Sequence, residues 1–264
     1  MSATPLLLHG ASGRMGRSIR ALLAGSEERG AFTLAACVTN GDPPADAEKG
    51  TRWIASGAFG SGDLQALPAD AVVLDVSLAA GTETLVAALE KAAPRAALIA
   101  TTGLPAALEA RIEALGRRAA VLRAKNLSLG IAVARRWLAL LPAAARAAYV
   151  ADIVEQHHAG KKDAPSGTAV ELRETLGVVG GTRRPEGAVA THSIRAGTVP
   201  GTHRVILSGE GETLEIVHAV QDRSVFARGA LRAARFLHGR APGLYSIDDL
   251  VGDAPTIATL GKDS

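Results

Sequence analysis

The stretch LLLHGASGRMG, residues 6–16, joins a short apolar run to the start of a helix through three glycines. Their spacing, G-x-x-G-x-x-G, is a variant of the loop that binds dinucleotides. Glycine lets the backbone turn tightly and approach a pyrophosphate, and the N-terminus of the following helix favours negative charge. We therefore predict a dinucleotide-binding loop that consists of Gly10, Ala11, Ser12, Gly13, Arg14, Met15 and Gly16.

Further apolar runs follow this loop and alternate with helical segments. The runs lie at residues 32–38, 71–76, 96–100 and 119–123, and helices are predicted at about 15–24, 82–92 and 105–118. Continuous apolar strands separated by helices are typical of a parallel sheet that is covered on both faces. The first part of the chain therefore predicts an α/β fold, with a doubly wound, Rossmann-like parallel sheet as a nucleotide lobe.

The pattern changes after Asn126. We predict a long helix over about 129–148, a strand over 149–155, and a helix over about 224–237 before a short acidic tail. Segments at 192–195, 203–208 and 213–220 alternate polar with apolar residues, which favours antiparallel or mixed strands. We predict a dinucleotide-binding domain at 1–126, completed by about 223–264, and a substrate-binding and oligomerisation domain at 127–222, an α+β lobe with a mixed sheet.

The composition excludes several classes of protein. The 264 residues are 47% apolar and 21% charged, with a net charge of +3 and one cysteine, Cys37. One cysteine cannot form an internal disulfide and suits a reducing cytoplasm, where we expect the protein. No apolar run approaches the roughly 18 residues of a membrane span. The scattered Lys and Arg residues form no basic stripe, so we expect neither a membrane nor a nucleic-acid partner.

A second cluster of polar residues lies between a predicted strand and a predicted helix. It holds His157, His158 and Lys161, followed by Ser166, Gly167 and Thr168 after a proline. The N–H groups and hydroxyls at such a helix start could hold a carboxylate, and a lysine adds a point charge for a second one. A histidine is well suited to deliver a proton near neutral pH. We predict a pocket for a small dianion with a proton donor, and no metal site.

The end of the second predicted strand departs from the usual NADH pattern. A carboxylate that binds the adenosine ribose is expected about 20 residues beyond the glycine loop. Thr39 and Asn40 stand there instead, so selectivity for NADH is not supported, and nothing at these positions repels a 2′-phosphate. We expect both NADPH and NADH to bind, with a slight preference for NADPH to which Arg14 contributes.

Several motifs occur together in the order that one enzyme family has them. They are GASGRMG (10–16), TTG (101–103), NLSLG (126–130), HHAGKKDAPSGTA (157–169), IRAG (194–197), GTH (201–203), GEGE (209–212) with His218, and Arg223 with FARGA (226–230). Over nearly its whole length the chain resembles the 4-hydroxy-tetrahydrodipicolinate reductase (dihydrodipicolinate reductase) family of bacterial lysine and diaminopimelate biosynthesis. The string HHxxKxDxPSGT is the most specific part of the resemblance.

The resemblance implies NAD(P)H-dependent reduction of 4-hydroxy-tetrahydrodipicolinate to tetrahydrodipicolinate. It implies that His157 is the general acid, His158 a substrate contact and Lys161 the lysine of the motif, with residues 166–168 as the carboxylate cradle. It also implies a homotetramer built through the sheet of the second lobe, and a last helix that returns to the nucleotide lobe. The cofactor would contact Thr39, Asn40, Ala100, Thr101, Thr102, Gly103, Ala124, Lys125, Asn126 and Leu127, besides the glycine loop.

The chain also departs from the family pattern. Many members carry an acid and an arginine where this chain has Thr39 and Asn40. Ser77-Leu78-Ala79 replaces a Thr-Arg/Lys-Pro pattern, and Ala132 replaces an asparagine. Those positions lie on the cofactor side. Ala159 and Gly160 stand between the histidines and the lysine, and the substrate motif itself is intact.

Two other functions fit parts of the pattern. One is a different two-lobe NAD(P) dehydrogenase that acts on an amino dicarboxylate, which would not require PSGT after paired histidines. The other is a nucleotide-sensing module without catalytic activity, which would not require His157 and Lys161.

Overall fold

The computed structural model describes residues 3–25, 28, 30–178 and 189–252. The chain divides into two compact units, one of Met1–Ala124 with Arg228–Ser264 and one of Lys125–Ala227. Within the described residues no helix is both long and apolar enough to cross a membrane. The predicted acidic tail, beyond residue 252, lies outside the described residues.

The described residues form eleven strands and eight α-helices, with two short 3-10 helices at Ser56–Ala58 and Ile247–Val251. The strands are β1 (Thr4–His9), β2 (Phe32–Thr39), β3 (Arg52–Ala55), β4 (Val72–Asp75), β5 (Ala96–Ile99), β6 (Ala120–Arg123), β7 (Val150–His157), β8 (Ala190–Arg195), β9 (Gly201–Ser208), β10 (Thr213–Val220) and β11 (Gly243–Tyr245). The helices are α1 (Arg14–Ala24), α2 (Ser61–Gln65), α3 (Ala79–Lys91), α4 (Ala106–Leu115), α5 (Leu129–Leu140), α6 (Ala143–Ala148), α7 (Gly167–Val178) and α8 (Ser224–Leu237).

The first unit is built on a seven-stranded parallel sheet. Its strand order is β11-β6-β5-β4-β1-β2-β3, and every pairing between neighbouring strands is parallel. Leu6, Leu7 and Leu8 of β1 are fully buried, because helices cover both faces of such a sheet. The predicted doubly wound, Rossmann-like sheet is confirmed. The strand order reverses between β1 and β4, where folds of this class bind their ligands.

The second unit contains a separate four-stranded sheet in the order β10-β9-β7-β8. The β7–β8 pair is parallel, whereas β7–β9 and β9–β10 are antiparallel, so the predicted mixed sheet is confirmed. The strand β9 alternates buried and less buried residues along its length. Its inward side chains, Val205 and Leu207, join a core with Leu138 of α5 and Leu172 of α7.

The prediction of one long helix over 129–148 is wrong. The helix α5 ends at Leu140, and α6 begins at Ala143. Between them lies Pro142, which has no backbone N–H to continue a helix and disfavours helical geometry in the preceding residue. Leu141 accordingly has φ −58° and ψ 126°. The following strand is longer than predicted, since β7 extends to His157 and carries that histidine at its end.

Candidate functional site

The glycine loop lies at the end of β1, next to the reversal of strand order. Gly10 has φ +90°, and a Cβ added there would lie 2.8 Å from Cα of Ser77. A Cβ at Gly16 would lie 2.3 Å from the carbonyl oxygen of Gly10. Both contacts are with backbone atoms, so only glycine fits at these positions. A loop that keeps its backbone bare at the N-terminus of α1 fits the pyrophosphate of a dinucleotide.

A buried carboxylate ties together the loops around this glycine turn. Asp75, at the end of β4, is fully buried and accepts hydrogen bonds from Nδ1 of His9 (3.0 Å), Oγ of Ser77 (2.6 Å), Oγ1 of Thr82 (2.5 Å) and Oγ1 of Thr101 (3.1 Å). Burial alone raises the pKa of Asp75, but the bonds from His9, Ser77 and Thr82 outweigh it and hold the pKa below its ordinary value. Asp75 thus fixes the ends of β1, β4 and β5 as an ionised acceptor.

The predicted cofactor residues of the first unit lie at the carboxyl ends of its strands. Thr39, the last residue of β2, donates from Oγ1 to Oγ of Ser12 at 2.6 Å, which joins two of them. Asn40 accepts a hydrogen bond from Ser56, a residue that the sequence did not indicate. Thr101 bonds to Asp75. The remaining predicted residues follow β5 and β6: Ala100, Thr102, Gly103 and Ala124.

Three predicted cofactor residues, Lys125, Asn126 and Leu127, fall in the second unit. The side chain of Asn126 donates from Nδ2 to Oγ1 of Thr168 at 2.7 Å, and its Oδ1 accepts the backbone N–H of Ser128 at 2.8 Å. The structure therefore brings Asn126 to a residue of the predicted carboxylate cradle.

The strand β7 carries the predicted acid on its buried face. Residues alternate along this strand, so that Glu155 and His157 share one face, with 0% and 8% of their surfaces exposed. Nδ1 of His157 lies 2.5 Å from Oε2 of Glu155. Burial lowers the pKa of His157, and Glu155 only partly offsets this effect. His158 is half-buried and lies outside the strand.

Lys161 is already paired in this structure. Its Nζ lies 2.7 Å from both carboxylate oxygens of Asp163, two residues later. Its backbone N–H donates to the carbonyl oxygen of His158 at 3.1 Å, which closes a turn. The ammonium group is therefore paired with a carboxylate of the loop that carries His158.

The cradle residues lie at the start of α7, and they differ in which of their hydrogen-bonding groups are already engaged. Ser166 is 2% exposed. Its Oγ accepts the N–H of Ala169 at 3.2 Å and lies 3.0 Å from Nε2 of His203, so this hydroxyl is already engaged. In the described residues no group accepts the backbone N–H of Gly167 or of Thr168. Those two N–H groups, at the positive end of α7, are the ones available to an anion.

Two further histidines of the second unit, His203 and His218, lie beside His157. The ring centroids of His157 and His203 are 5.2 Å apart, and those of His203 and His218 are 6.3 Å apart. Burial, with the neighbouring His157 and His218, lowers the pKa of His203 to about 3. Burial also lowers the pKa of His218, whose Nε2 lies 3.0 Å from Oγ of Ser128. Both rings are therefore neutral near neutral pH.

Comparison with known proteins identifies the family. A model of the dihydrodipicolinate reductase N-terminus matches residues 4–127, and a model of the C-terminus of the same family matches residues 130–251. The chain belongs to the dihydrodipicolinate reductase family. Together the two models cover most of the chain.

Relatives of the dihydrodipicolinate reductase family match over nearly the whole chain. A protein of Stenotrophomonas maltophilia (strain K279a) named 4-hydroxy-tetrahydrodipicolinate reductase is 40% identical over 256 residues, which are 95% of this chain and 100% of the relative. A protein of the same name from Rhodopseudomonas palustris (strain BisA53) is 38% identical over 96% of this chain and 98% of its own length. The predicted family and enzyme class, an oxidoreductase with a nicotinamide cofactor, are confirmed.

A solved structure matches the fold of this family member. It is a dipicolinate-bound dihydrodipicolinate reductase from Paenisporosarcina sp. TG-14, with a TM-score of 0.73 and 19% identity, over 94% of this chain and 99% of that chain. At this identity the likeness shows the fold alone, a Rossmann-like unit with a second mixed sheet.

Several residues of this reductase's second unit were not predicted as site residues. They are Glu155, Arg195, His203, His218 and Ser128, which contact the predicted residues or one another. Glu155 had a local signal, because it stands two residues before His157 and strand residues alternate between faces. The others stand in motifs of the family resemblance, and their contacts depend on the fold. The pairing of β7 with β8 and β9 brings Arg195 and His203 to the site, and His218 of β10 contacts Ser128 at the start of α5.

Proposed function

We propose that the second unit supplies both the carboxylate-binding groups and the proton for the reaction of this family. That reaction is the NAD(P)H-dependent reduction of 4-hydroxy-tetrahydrodipicolinate to tetrahydrodipicolinate, a step of lysine and diaminopimelate biosynthesis. Bound NAD(P)H supplies the hydride to the ring. The glycine loop of the first unit, with the strand-end residues beyond it, holds the cofactor.

One observation carries the assignment of the substrate groups. Within one connection between β7 and α7, Lys161 already binds a carboxylate, and the N–H groups of Gly167 and Thr168 have no acceptor in the described residues. A cation and a helix N-terminus so close in sequence suit a dicarboxylate. His158 contacts the substrate from the same loop, and Thr168 completes the cradle. Ser166, whose Oγ accepts the N–H of Ala169, holds the start of α7 in place.

His157 is the proton donor in this proposal. The 4-hydroxyl group leaves as water together with a hydrogen of the neighbouring ring carbon. Hydride addition to the resulting conjugated ring then leaves an enamine, and the imidazolium of His157 gives its proton to it. Burial lowers the pKa of His157 in the structure, so a neutral ring predominates at neutral pH in the absence of an anion. A bound dianion raises the pKa, because a nearby opposite charge favours the imidazolium. The substrate thereby promotes the protonation that its own reduction requires.

The test compares two single variants at adjacent positions. His157→Gln is expected to lower kcat by about 10²–10⁴-fold, the contribution of a general acid, with the Kd for NADPH near normal. His158→Gln is expected to raise KM more than it lowers kcat. Wild-type kcat should fall as the pH rises through the pKa of the imidazolium. This fall, the high-pH limb of the kcat profile, should disappear in His157→Gln. If both variants keep the limb and most of the rate, neither histidine is the acid and solvent protonates the product.

We further propose that both NADPH and NADH serve as cofactors, with a slight preference for NADPH. The absence of a carboxylate at Thr39 and Asn40 supports this, since an acid there would bind the ribose hydroxyl of NADH and repel a 2′-phosphate. Arg14, which is exposed at the start of α1, is a candidate partner for that phosphate. A wild-type enzyme with activity on NADH alone would contradict this proposal.

The proposed assembly is a cytoplasmic homotetramer formed through the sheet of the second unit. Leu214 and Val217 of the strand β10 are 46% and 52% exposed, which supports burial of this sheet in an assembly. Light scattering after size-exclusion chromatography should give four times the 27.0 kDa mass of the chain. The mass of a monomer at micromolar concentration would overturn this proposal.

A further inference from the structure

A fully buried carboxylate stands directly behind the proposed acid. Glu155 lies on β7 two residues before His157, on the same buried face, and none of its side chain is exposed. An isolated buried carboxylate is strongly unfavourable, so such a group is retained only with partners that satisfy it. The identity of these partners shows what the group does.

The hydrogen-bond partners of Glu155 lie in the proposed substrate site or on the neighbouring strand β8, where Ser193 and Arg195 stand. Arg195 of β8 donates to both carboxylate oxygens, from Nη1 to Oε2 at 2.9 Å and from Nη2 to Oε1 at 2.7 Å. The backbone N–H of Ser166, at the start of α7, donates to Oε1 at 3.2 Å. His157 donates from Nδ1 to Oε2. Glu155 therefore joins the acid, the carboxylate cradle and the neighbouring strand.

The carboxylate is ionised over the whole working range of pH. Burial raises the pKa of Glu155, but hydrogen bonds from Arg195, Ser193 and His157 outweigh burial and lower the pKa to about 2. An ionised carboxylate only accepts hydrogen bonds, so Nδ1 of His157 carries its hydrogen. Nε2 is therefore the ring nitrogen of His157 that can exchange a proton with a ligand. A Cβ added to Gly201 would lie 3.0 Å from this nitrogen, so a larger residue at this position would crowd Nε2.

We propose that Glu155, held in place by the bidentate Arg195, is the positioning residue for proton donation by His157. It fixes the tautomer and ring orientation, so that Nε2 is the donor, and its negative charge balances the imidazolium. This proposal rests on the proposed role of His157. In chemical terms, the N–H bond at Nε2 breaks, a bond from hydrogen to the reduced ring forms, and the hydrogen at Nδ1 stays in its bond to Glu155.

Other charged groups also act on His157. Lys161 and Arg195 both lower its pKa, whereas Glu155 raises it. The ring of His203, on β9, is neutral at neutral pH because its pKa is about 3. Removal of the charge on Glu155 therefore takes away an anion that stabilises the imidazolium, and the pKa of His157 falls further.

Glu155→Gln tests the proposal, because glutamine keeps the size of the side chain and removes the charge. We expect kcat to fall at least about tenfold, with the about 10²–10⁴-fold contribution of a general acid as the upper limit. The KM for the substrate should stay within about threefold. The limb of the kcat profile at high pH should move to lower pH by about 1–3 units, the effect of losing one nearby opposite charge. Glu155→Asp, which retains the charge, should keep the limb near its wild-type position.

Asp152→Asn is the matched control. Asp152 lies on the same strand and pairs with His192 of β8 at 3.1 Å, so it is a second carboxylate–histidine pair across the same two strands. It stands five residues before His157, about 16 Å along the strand. This variant should leave kcat and the position of the limb unchanged. A shift of the limb in Asp152→Asn equal to that in Glu155→Gln would overturn the proposal.

A double variant separates failure of this proposal from failure of the proposed acid. If Glu155 acts through His157, Glu155→Gln in the His157→Gln background should cause little further loss of kcat. Full additivity of the two losses would overturn the positioning role. If His157→Gln abolishes the limb while Glu155→Gln keeps both rate and limb, only the role of Glu155 falls. If His157→Gln changes neither kcat nor the high-pH limb, His157 is not the acid.

The tautomer gives a measurement that needs no altered Glu155. The ¹⁵N shifts of the wild-type imidazoles, with the His157 signals identified from their loss in His157→Gln, should show hydrogen on Nδ1 and none on Nε2 at neutral pH without substrate. The opposite tautomer would overturn the proposal even if Glu155→Gln fails to fold.

Discussion

Lys161→Ala removes one of two adjacent lysines in the loop after β7, and Lys162→Ala removes the other. Nζ of Lys161 lies 2.7 Å from both carboxylate oxygens of Asp163, and 23% of the Lys161 side chain is exposed, against 57% for Asp163. An ion pair so accessible to water contributes about 0–1 kcal/mol to stability. We therefore expect Lys161→Ala to lower the Tm by at most about 2–4 °C.

The effect of Lys161→Ala on activity should be much larger than its effect on stability. A charge-assisted contact to the substrate in a desolvated site is worth about 1.5–3 kcal/mol, so kcat/KM should fall by about tenfold to 150-fold. The assay follows the nicotinamide absorbance while the upstream synthase supplies substrate. Lys162→Ala, at an exposed neighbouring residue, should stay within about threefold of wild type. Near-normal kinetics for Lys161→Ala, together with a large loss for Lys162→Ala, would refute the assignment and make Lys162 the cation.

Three further predictions concern the first unit. Gly16→Ala should weaken NADPH binding at least tenfold in a fluorescence titration, because its Cβ would lie 2.3 Å from a backbone oxygen and overpacking costs about 1–3 kcal/mol. The control Gly62→Ala, whose Cβ would have no atom within 4 Å, should leave NADPH binding unchanged. Thr39→Asp should lower the ratio of kcat/KM for NADPH to that for NADH, and an unchanged ratio would argue against cofactor selection at this position. Asp75, whose pKa is lowered in the fold, contributes stability above about pH 4 that is lost as the pH falls through its folded pKa. Asp75→Asn should therefore lower the free energy of unfolding by about 3–5 kcal/mol at pH 7, measured by urea titration. Below pH 4 the free energy of unfolding of the variant should depend less on pH than that of wild type, and an equal dependence would contradict this.

The Rossmann-like sheet could be predicted because its central strands carry a local signal. Strands buried on both faces are continuous apolar runs, as in Leu6-Leu7-Leu8 of β1, and the glycine loop marks the first turn. The edges of the sheet lack that signal. In β3, Arg52–Ala55, only Ile54 is buried, and the strand was not predicted. The place of β11 beside β6 depends on a return of the chain over more than 100 residues, which periodicity cannot show.

The break in the predicted long helix shows a different kind of error. The signal was present, since Pro142 stands in the middle of the segment and proline removes a helical hydrogen bond. The alanine and leucine content on both sides favours a helix strongly enough to hide the break. Composition gave the right element type, and the single proline determined where the first helix ends at Leu140.

The candidate site divides in the same way. Its local part, from His157 to Thr168, is one string of sequence and could be predicted as a unit. Its other half is remote: Arg195 lies 40 residues from Glu155, and His203 lies 37 residues from Ser166. No sequence spacing joins those pairs. They meet because β8 pairs with β7 in parallel, with Arg195 opposite His157, and β9 pairs with β7 on its other side.

The cations of this site are balanced in two different ways, and the difference determines what a substrate can displace. Arg195 is paired with Glu155, which is fully buried, whereas Lys161 is paired with Asp163, which is largely exposed. Breaking the buried pair leaves an uncompensated charge and costs about 3–5 kcal/mol. Breaking the exposed pair costs about 1 kcal/mol or less, because water solvates both partners. An incoming carboxylate can therefore exchange with Asp163 on Lys161 at little cost, while Glu155 keeps its place behind His157. The loop can then bind and release an anion at Lys161 without disturbing the group that orients the proton donor.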